Sequence, residues 1–205
     1  VKMKKSRFMI SIILILSFIL IFNFIAYADN TVVVTLAKDL NKQQRKDILE
    51  LFNVNEDEVT LIEVNNQEER LYFEGVAPEK QIGNKTMSSA YVELLEEGSG
   101  INVQTFNISW VTEEMYQSAL ITAGIKDAKV MAAAPFSVSG TGALTGIIKA
   151  FEQATGEKID EEQKKIANEE IVQTGELGDE IGKEKASELI KNIKEEIFEK
   201  GAKSP

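Results

Sequence analysis

Residues 31–64 read TVVVTLAKDLNKQQRKDILELFNVNEDEVTLIEV, and this stretch decides the fold class. Its opening, Thr31 to Ala37, is a run dominated by β-branched residues, the signature of a strand. Asn41 then offers a side-chain oxygen to the free N–H groups of a helix start. Ile48, Leu49, Leu51 and Phe52 follow at the spacing that gives that helix a buried side. Val59 to Val64 is again rich in β-branched residues and lies between polar clusters. Strand, helix and strand in this order make a βαβ-like unit.

The same grammar returns downstream. Residues 101–109 read as a strand, and Thr112 caps a helix that carries Met115, Ala119 and Leu120 and ends at Gly124. Lys129 to Ala134 reads as a buried strand stopped by Pro135. A shift of 71 residues lays Leu40–Val54 on Val111–Ile125 and brings the caps Asn41 and Thr112 together. Internal duplication would account for this, as would two βαβ units that share a pattern by physics alone. Duplication predicts halves that superpose.

Between the two units, Asn66 with Glu69 three positions on resembles a capping box and predicts a short helix over 67–74. Pro78 and Gly83 punctuate a loop. Residues 86–95 and 101–109, joined through Glu96-Glu97-Gly98-Ser99-Gly100, read as a β-hairpin. Beyond Gly142, Leu144, Ile147, Ile148 and Phe151 keep helical spacing up to Gly156. A helix capped by Asp160 is expected to reach Thr174 and break at Gly175–Gly178. A last helix carries a stripe of Ala186, Leu189, Ile190, Ile193 and Ile197. That stripe either packs on the domain or meets a partner. The expected fold is α+β: a mixed sheet from two βαβ-like units plus a β-hairpin, followed by a C-terminal helical segment. Residues 29–156 form the α+β domain, and 157–205 form helices packed on it or extending from it.

Residues 1–28 read as an export signal. Lys2, Lys4, Lys5 and Arg7 precede a charge-free, mostly apolar run from Phe8 to Ile25, and Ala26-Tyr27-Ala28 presents the small residues that signal peptidase accepts. Cleavage is expected between Ala28 and Asp29. The alternative is an uncleaved anchor, since the run approaches the length that spans a bilayer. The expected address is secreted or extracytoplasmic, associated with the cell envelope, with membrane contact only through this segment if it is retained.

The signal carries four of the 23 basic residues and none of the 33 acidic ones, so the mature chain has a formal charge of 19 − 33 = −14. Such a surface repels nucleic acid and anionic headgroups. The chain has neither cysteine nor histidine. It therefore lacks the residues of a Ser-His-Asp triad, a thiol nucleophile, a disulfide and the usual zinc site. Chemistry would fall to carboxylates, to hydroxyls with lysine, or to tyrosine. No cofactor and no metal site is expected.

The candidate ligand-binding residues lie in the small-residue loop Ser137-Val-Ser-Gly-Thr-Gly-Ala-Leu-Thr-Gly146. Ser137, Ser139, Gly140, Thr141 and Gly142 could present N–H groups and hydroxyls to an anion where the loop opens a helix. It lacks the Gly-Lys-Ser/Thr ending of a nucleotide loop, and the reading without a ligand is a tight turn plus helix cap. Trp110 and Tyr116 could stack on a ligand or belong to the core. Residues 53–57 alternate oxygen side chains like a calcium loop. Glu58 and Val64 stand where that loop needs Gly and Glu, so the segment reads as a helix-to-strand turn.

Three stretches, Asn107-Ile-Ser-Trp-Val-Thr-Glu-Glu-Met-Tyr116, Thr122-Ala-Gly-Ile125 and Ala134–Gly146, together resemble the YpuA-like proteins. These are predicted secreted proteins of Gram-positive bacteria, classed as a domain of unknown function. Gln43-Gln44-Arg45 and Ile82-Gly83 fit as well, while Gly142 stands where the resemblance implies Ala. The resemblance implies a secreted or envelope address and brings no catalytic residues. The expected function is a non-enzymatic module that binds an envelope ligand or protein. The alternatives are a carboxylate-dependent hydrolase of cell-wall polymer and a structural scaffold or secreted inhibitor.

Overall fold

The computed structural model describes residues 32–199; the signal-like segment, with Ala28 and Asp29, lies outside the described residues. Strand β1 (Val32–Ala37) leads to helix α1 (Lys42–Phe52), a 3-10 turn at Glu56–Glu58, and β2 (Thr60–Val64). Then come α2 (Asn66–Phe73), α3 (Glu79–Ile82), β3 (Ser89–Leu94), β4 (Ile101–Ile108), α4 (Glu113–Thr122) and β5 (Ala128–Val138). Helices α5 (Thr141–Thr155), α6 (Glu161–Ile181) and α7 (Lys183–Glu199) follow. The strands form one mixed sheet of order β2-β1-β3-β5-β4. The protein is an α+β fold with helices gathered at its C-terminal end.

Both βαβ units are present: β1 pairs with β2 in parallel, and β4 pairs with β5 in parallel. The hairpin is not. β3 and β4 follow one another in sequence but never pair, because β5 inserts between them, antiparallel to β3 through Ser89↔Ala133 to Leu94↔Ala128. The reason is burial. Val130, Met131, Ala132 and Ala133 are covered on both faces, so β5 needs a neighbour on each side to satisfy its backbone. Nor does Pro135 end that strand, which continues to Val138. The partner strand shifts register between Phe106 and Ile108, and Asn107, with φ 58°, donates its side-chain amide to the Ala134 carbonyl at 2.9 Å. A bulge beside proline absorbs the missing donor.

One face of the sheet is covered by α1, whose Ile48, Leu49 and Phe52 meet Val34, Leu36, Tyr91, Met131 and Ala133. The rings of Phe52 and Tyr91 lie 6.1 Å apart. The other face, with Val33, Val92, Val103 and Val130, is covered by α4 and α5, and α6 packs against α4 to close the same core. The helices of the two βαβ units therefore sit on opposite faces, although β1→β2 and β4→β5 step the same way across the sheet and their strands are parallel. Equal steps with opposite faces mean crossovers of opposite hand, one of them outside the usual right-handed rule. Units of opposite hand cannot be superposed, which removes internal duplication as the source of the repeat.

At the β4 edge the exposed backbone is partly engaged: Thr105 N–H donates to Glu113 at 2.8 Å, and Gln117 donates to the Ile101 carbonyl at 2.9 Å. These contacts blunt an edge that could otherwise pair with another chain. Helix α6 does not break at Gly175–Gly178 but runs through to Ile181, and the chain turns at Gly182, with φ 95°. The two glycines serve packing instead. A Cβ at Gly175 would lie 2.5 Å from the Trp110 ring, and one at Gly178 would lie 3.2 Å from Lys183.

Candidate binding groove and the glycine loop

The glycine loop follows β5 and opens α5, as expected, yet most of it faces inward. Ser137 is exposed and Ser139 half-buried, while Gly140, Thr141 and Gly142 are buried, as are Trp110 and Tyr116. Tyr116 Oη donates to the Gly140 carbonyl at 2.6 Å. The group that fills this helix start is the chain's own Glu69 carboxyl, 2% exposed. Its carboxyl accepts from Thr141 Oγ1 at 2.6 Å and Thr86 Oγ1 at 2.7 Å, with Asn66 Nδ2 at 3.4 Å. Burial pushes the Glu69 carboxyl above its ordinary range, against the opposing pull of those hydrogen bonds and of the Arg70 charge. Burial, reinforced by the Glu69 charge, likewise raises the Tyr116 hydroxyl. A Cβ at Gly142 would sit 2.8 Å from Thr86 Cγ2 and 3.3 Å from Glu69 Oε2, so this glycine makes room for the carboxyl.

Glu69 is free for this role because the capping box lies one residue earlier than expected. Asn65 accepts from the N–H groups of Gln67 and Glu68, and Glu68 accepts from the Asn65 N–H. The run Asn65-Asn66-Gln67-Glu68-Glu69 contains both frames. That doubled frame was the available signal: one Glu caps, and its neighbour is left to face the core. Residues 53–58 form the helix-to-strand turn, with Asn53 in a left-handed C-cap and Asn55 Nδ2 donating to Glu58 at 2.9 Å.

The surface offers a further feature that no motif announced. A groove of about 630 Å³ runs between α4 and α7, walled by Glu114, Gln117, Ser118 and Ile121 on one side and Glu184, Ser187, Glu188, Lys191, Lys194 and Glu195 on the other. Ile121 is 55% exposed. At its base, Lys194 Nζ reaches both Glu170 oxygens at 2.9 and 3.1 Å, Thr122 Oγ1 at 2.8 Å, and the Ser118 hydroxyl and carbonyl at 2.9 and 3.0 Å. Ser118 and Thr122 in turn donate to Glu170. The approach of Ser118 to Lys194 is not a nucleophile–base pair, for an amine donating into this ring of acceptors directs no lone pair at the serine proton. The cluster anchors α7 to α4 and α6. Ser187 Oγ, buried on the α7 wall, has no hydrogen-bond partner.

A second depression, about 670 Å³, lies among Asp39, Asn41, Gln44, Lys85, Met87 and Phe136. Three of its polar groups are already engaged: Asp39 accepts from the Thr86 N–H at 2.8 Å, and Asn41 and Gln44 cap α1 reciprocally. Among the described residues, no group of three or more acidic side chains is placed to hold a metal ion. No described helix is long and apolar enough to cross a membrane.

Residues 36–205 match the family described as Protein of unknown function (DUF1002). Over 170 residues the chain is 49% identical to a Bacillus subtilis (strain 168) protein described as "Uncharacterized protein YpuA", covering 83% of this chain and 58% of that relative. The chain thus spans a little over half of the relative's length. No solved structure shows a significant match. The chain belongs to the DUF1002, YpuA-like family.

Proposed function

We propose that this member of the DUF1002 family is a non-enzymatic module of the cell exterior, secreted or envelope-associated, that binds a partner protein through the α4–α7 groove. The partner's contact is a cationic, partly apolar segment. The observation that carries this reading is the groove's make-up: an exposed Ile121 between walls bearing Glu114, Glu184, Glu188 and Glu195, with Lys191 as the counter-charge at the rim. An apolar centre inside an acidic rim favours a basic amphipathic helix over an anion or a sugar. The glycine loop supports the reading by elimination, since its buried hydroxyl at Thr141 is committed to Glu69. The hydrolase alternative needs a raised carboxyl in a cleft. The raised one here, Glu69, faces the chain's own threonines. The extracytoplasmic address rests on the N-terminal sequence pattern alone.

The test is titration of the labelled protein with a short amphipathic Lys/Leu helix and with its Glu/Leu counterpart, followed by amide chemical shifts. Shifts gathered at Ile121, Ser187 and Lys191 with the basic peptide only, and lost in Ile121→Asp, are expected. Equal response to both peptides, or shifts centred on Ser137–Gly142, would overturn the assignment.

A further inference from the structure

The depression at the start of α1 gathers three lengths of chain that lie far apart in sequence. The β1–α1 turn and the first turn of α1 bring Asp39, Asn41 and Gln44, the segment before β3 brings Asn84, Lys85 and Met87, and β5 brings Phe136. Its volume, about 670 Å³, lies in the range of small-ligand sites. Phe136 is 49% exposed, although it sits inside a strand whose pairing fixes its backbone.

Each engaged side chain here is held by one atom and keeps another free. Asn41 Oδ1 accepts from the Gln44 N–H at 3.0 Å, which leaves its Nδ2 to donate. Gln44 Oε1 accepts from the Asn41 N–H at 2.9 Å, which leaves its Nε2 to donate. Asp39 Oδ2 takes the Thr86 N–H at 2.8 Å and leaves Oδ1 to accept. The Asn84 and Lys85 side chains have no partner among the described residues. The fold thus orients three of these groups before anything binds, which lowers the ordering cost of binding.

The mixture selects the ligand. One carboxylate and one ammonium cancel, so a simple ion gains little net attraction. Amide donors beside a carboxylate acceptor match a hydroxyl, which donates once and accepts twice through a single oxygen. The exposed ring beside Met87 matches an apolar face. A sugar of the glucose type joins these features: equatorial hydroxyls around its edge, and flat C–H faces that suit the negative face of an aromatic ring. We propose that this depression binds a neutral oligosaccharide, with Phe136 as the stacking platform and Asp39 Oδ1 as the hydroxyl acceptor. Asn41, Gln44, Asn84 and Lys85 are the donors. The site shares no residue with the α4–α7 groove, so it stands or falls independently of the groove's partner.

The experiment uses the chain from Asp29 onward, which contains the whole compact unit Thr31–Pro205. It is titrated with cellotriose and with tri-N-acetylchitotriose, and separately with inorganic phosphate and with leucine as charged controls, while amide shifts are followed. At least one trisaccharide is expected to move the side-chain amide signals of Asn41, Gln44 and Asn84 and the backbone signal of Phe136, and neither control should. Phe136→Ala should weaken sugar binding about tenfold with circular dichroism unchanged. Asp39→Asn keeps an oxygen for the Thr86 N–H but turns the free acceptor into a donor, and should weaken binding about tenfold or more. No response to either trisaccharide, binding of phosphate or leucine in their place, or full affinity in Phe136→Ala would each overturn the proposal.

Discussion

Substituting Gly175 by alanine isolates the contact that carries α6 through the position where its glycines would be expected to end it. A glycine inside an exposed helix costs about 1 kcal/mol relative to alanine, so on helix propensity alone Gly175→Ala should stabilise the protein. Its environment reverses that. The added methyl would lie 2.5, 2.7 and 2.9 Å from Cζ2, Cε2 and Cη2 of Trp110. Trp110 is 4% exposed and lies within the larger core cluster, so its rigid ring has nowhere to retreat. Overpacking of this kind costs about 1–3 kcal/mol. Setting the propensity gain of about 1 kcal/mol against it leaves a net loss of up to about 2 kcal/mol. Urea unfolding followed by circular dichroism would measure it, and the emission of this lone tryptophan would report displacement of the ring. In a Trp110→Leu background the collision disappears, and the same alanine should stabilise by up to ~1 kcal/mol. A Gly175→Ala protein more stable than its parent, or equal effects in the two backgrounds, would refute the packing argument.

Glu69→Gln should alter the pH dependence of stability. The folded-state pKa of Glu69 is raised, so the native protein binds this proton more readily than the unfolded chain. Stability from this group is full below the unfolded value of about 4.3 and is lost as pH rises through the folded value. Urea midpoints at several pH values should therefore show the Gln variant gaining on the parent from pH 4 towards neutrality; a constant difference would contradict this. Glu69→Ala instead leaves the Thr86 hydroxyl without its acceptor, at a cost of about 1–3 kcal/mol plus the cavity, and calorimetry should show a lowered melting temperature. Lys164, 3% exposed, bonds Glu152 and Glu161, each at 2.7 Å. Although burial opposes its charge, these carboxylates outweigh burial and raise its pKa. Lys164→Met should cost about 2–3 kcal/mol, below the usual loss for a broken buried pair, because Glu152 keeps Lys158 and the Ile159 N–H. Glu161→Ala, whose carboxylate is largely exposed, should change stability by less than about 1 kcal/mol in the same urea assay.

What the sequence by itself determined is local. Asn41, Thr112 and Asp160 cap helices because each supplies an oxygen to N–H groups two or three residues on, a contact needing nothing outside the turn. β-Branched runs at 32–37 and 60–64 became strands, and Gly156 ended α5 with φ 72°, for equally local reasons. The tertiary structure decided what depended on partners far along the chain. A compact turn at 96–100 looked sufficient for a hairpin, but β5, apolar on both faces, gained more by lying between β3 and β4. Gly175 read as a breaker because glycine lowers helix propensity, and only the Trp110 ring pressed against it explains its place inside α6. The hydrogen-bond partner for the loop at 137–146 came from Glu69, 72 residues before Thr141. The α4–α7 groove exists only once Lys194 has docked on Glu170. Caps and periodicity act within a few residues, where sequence spacing is spatial spacing. Strand order, glycine packing and burial of a carboxyl depend on which distant surfaces meet, and only the folded chain defines that.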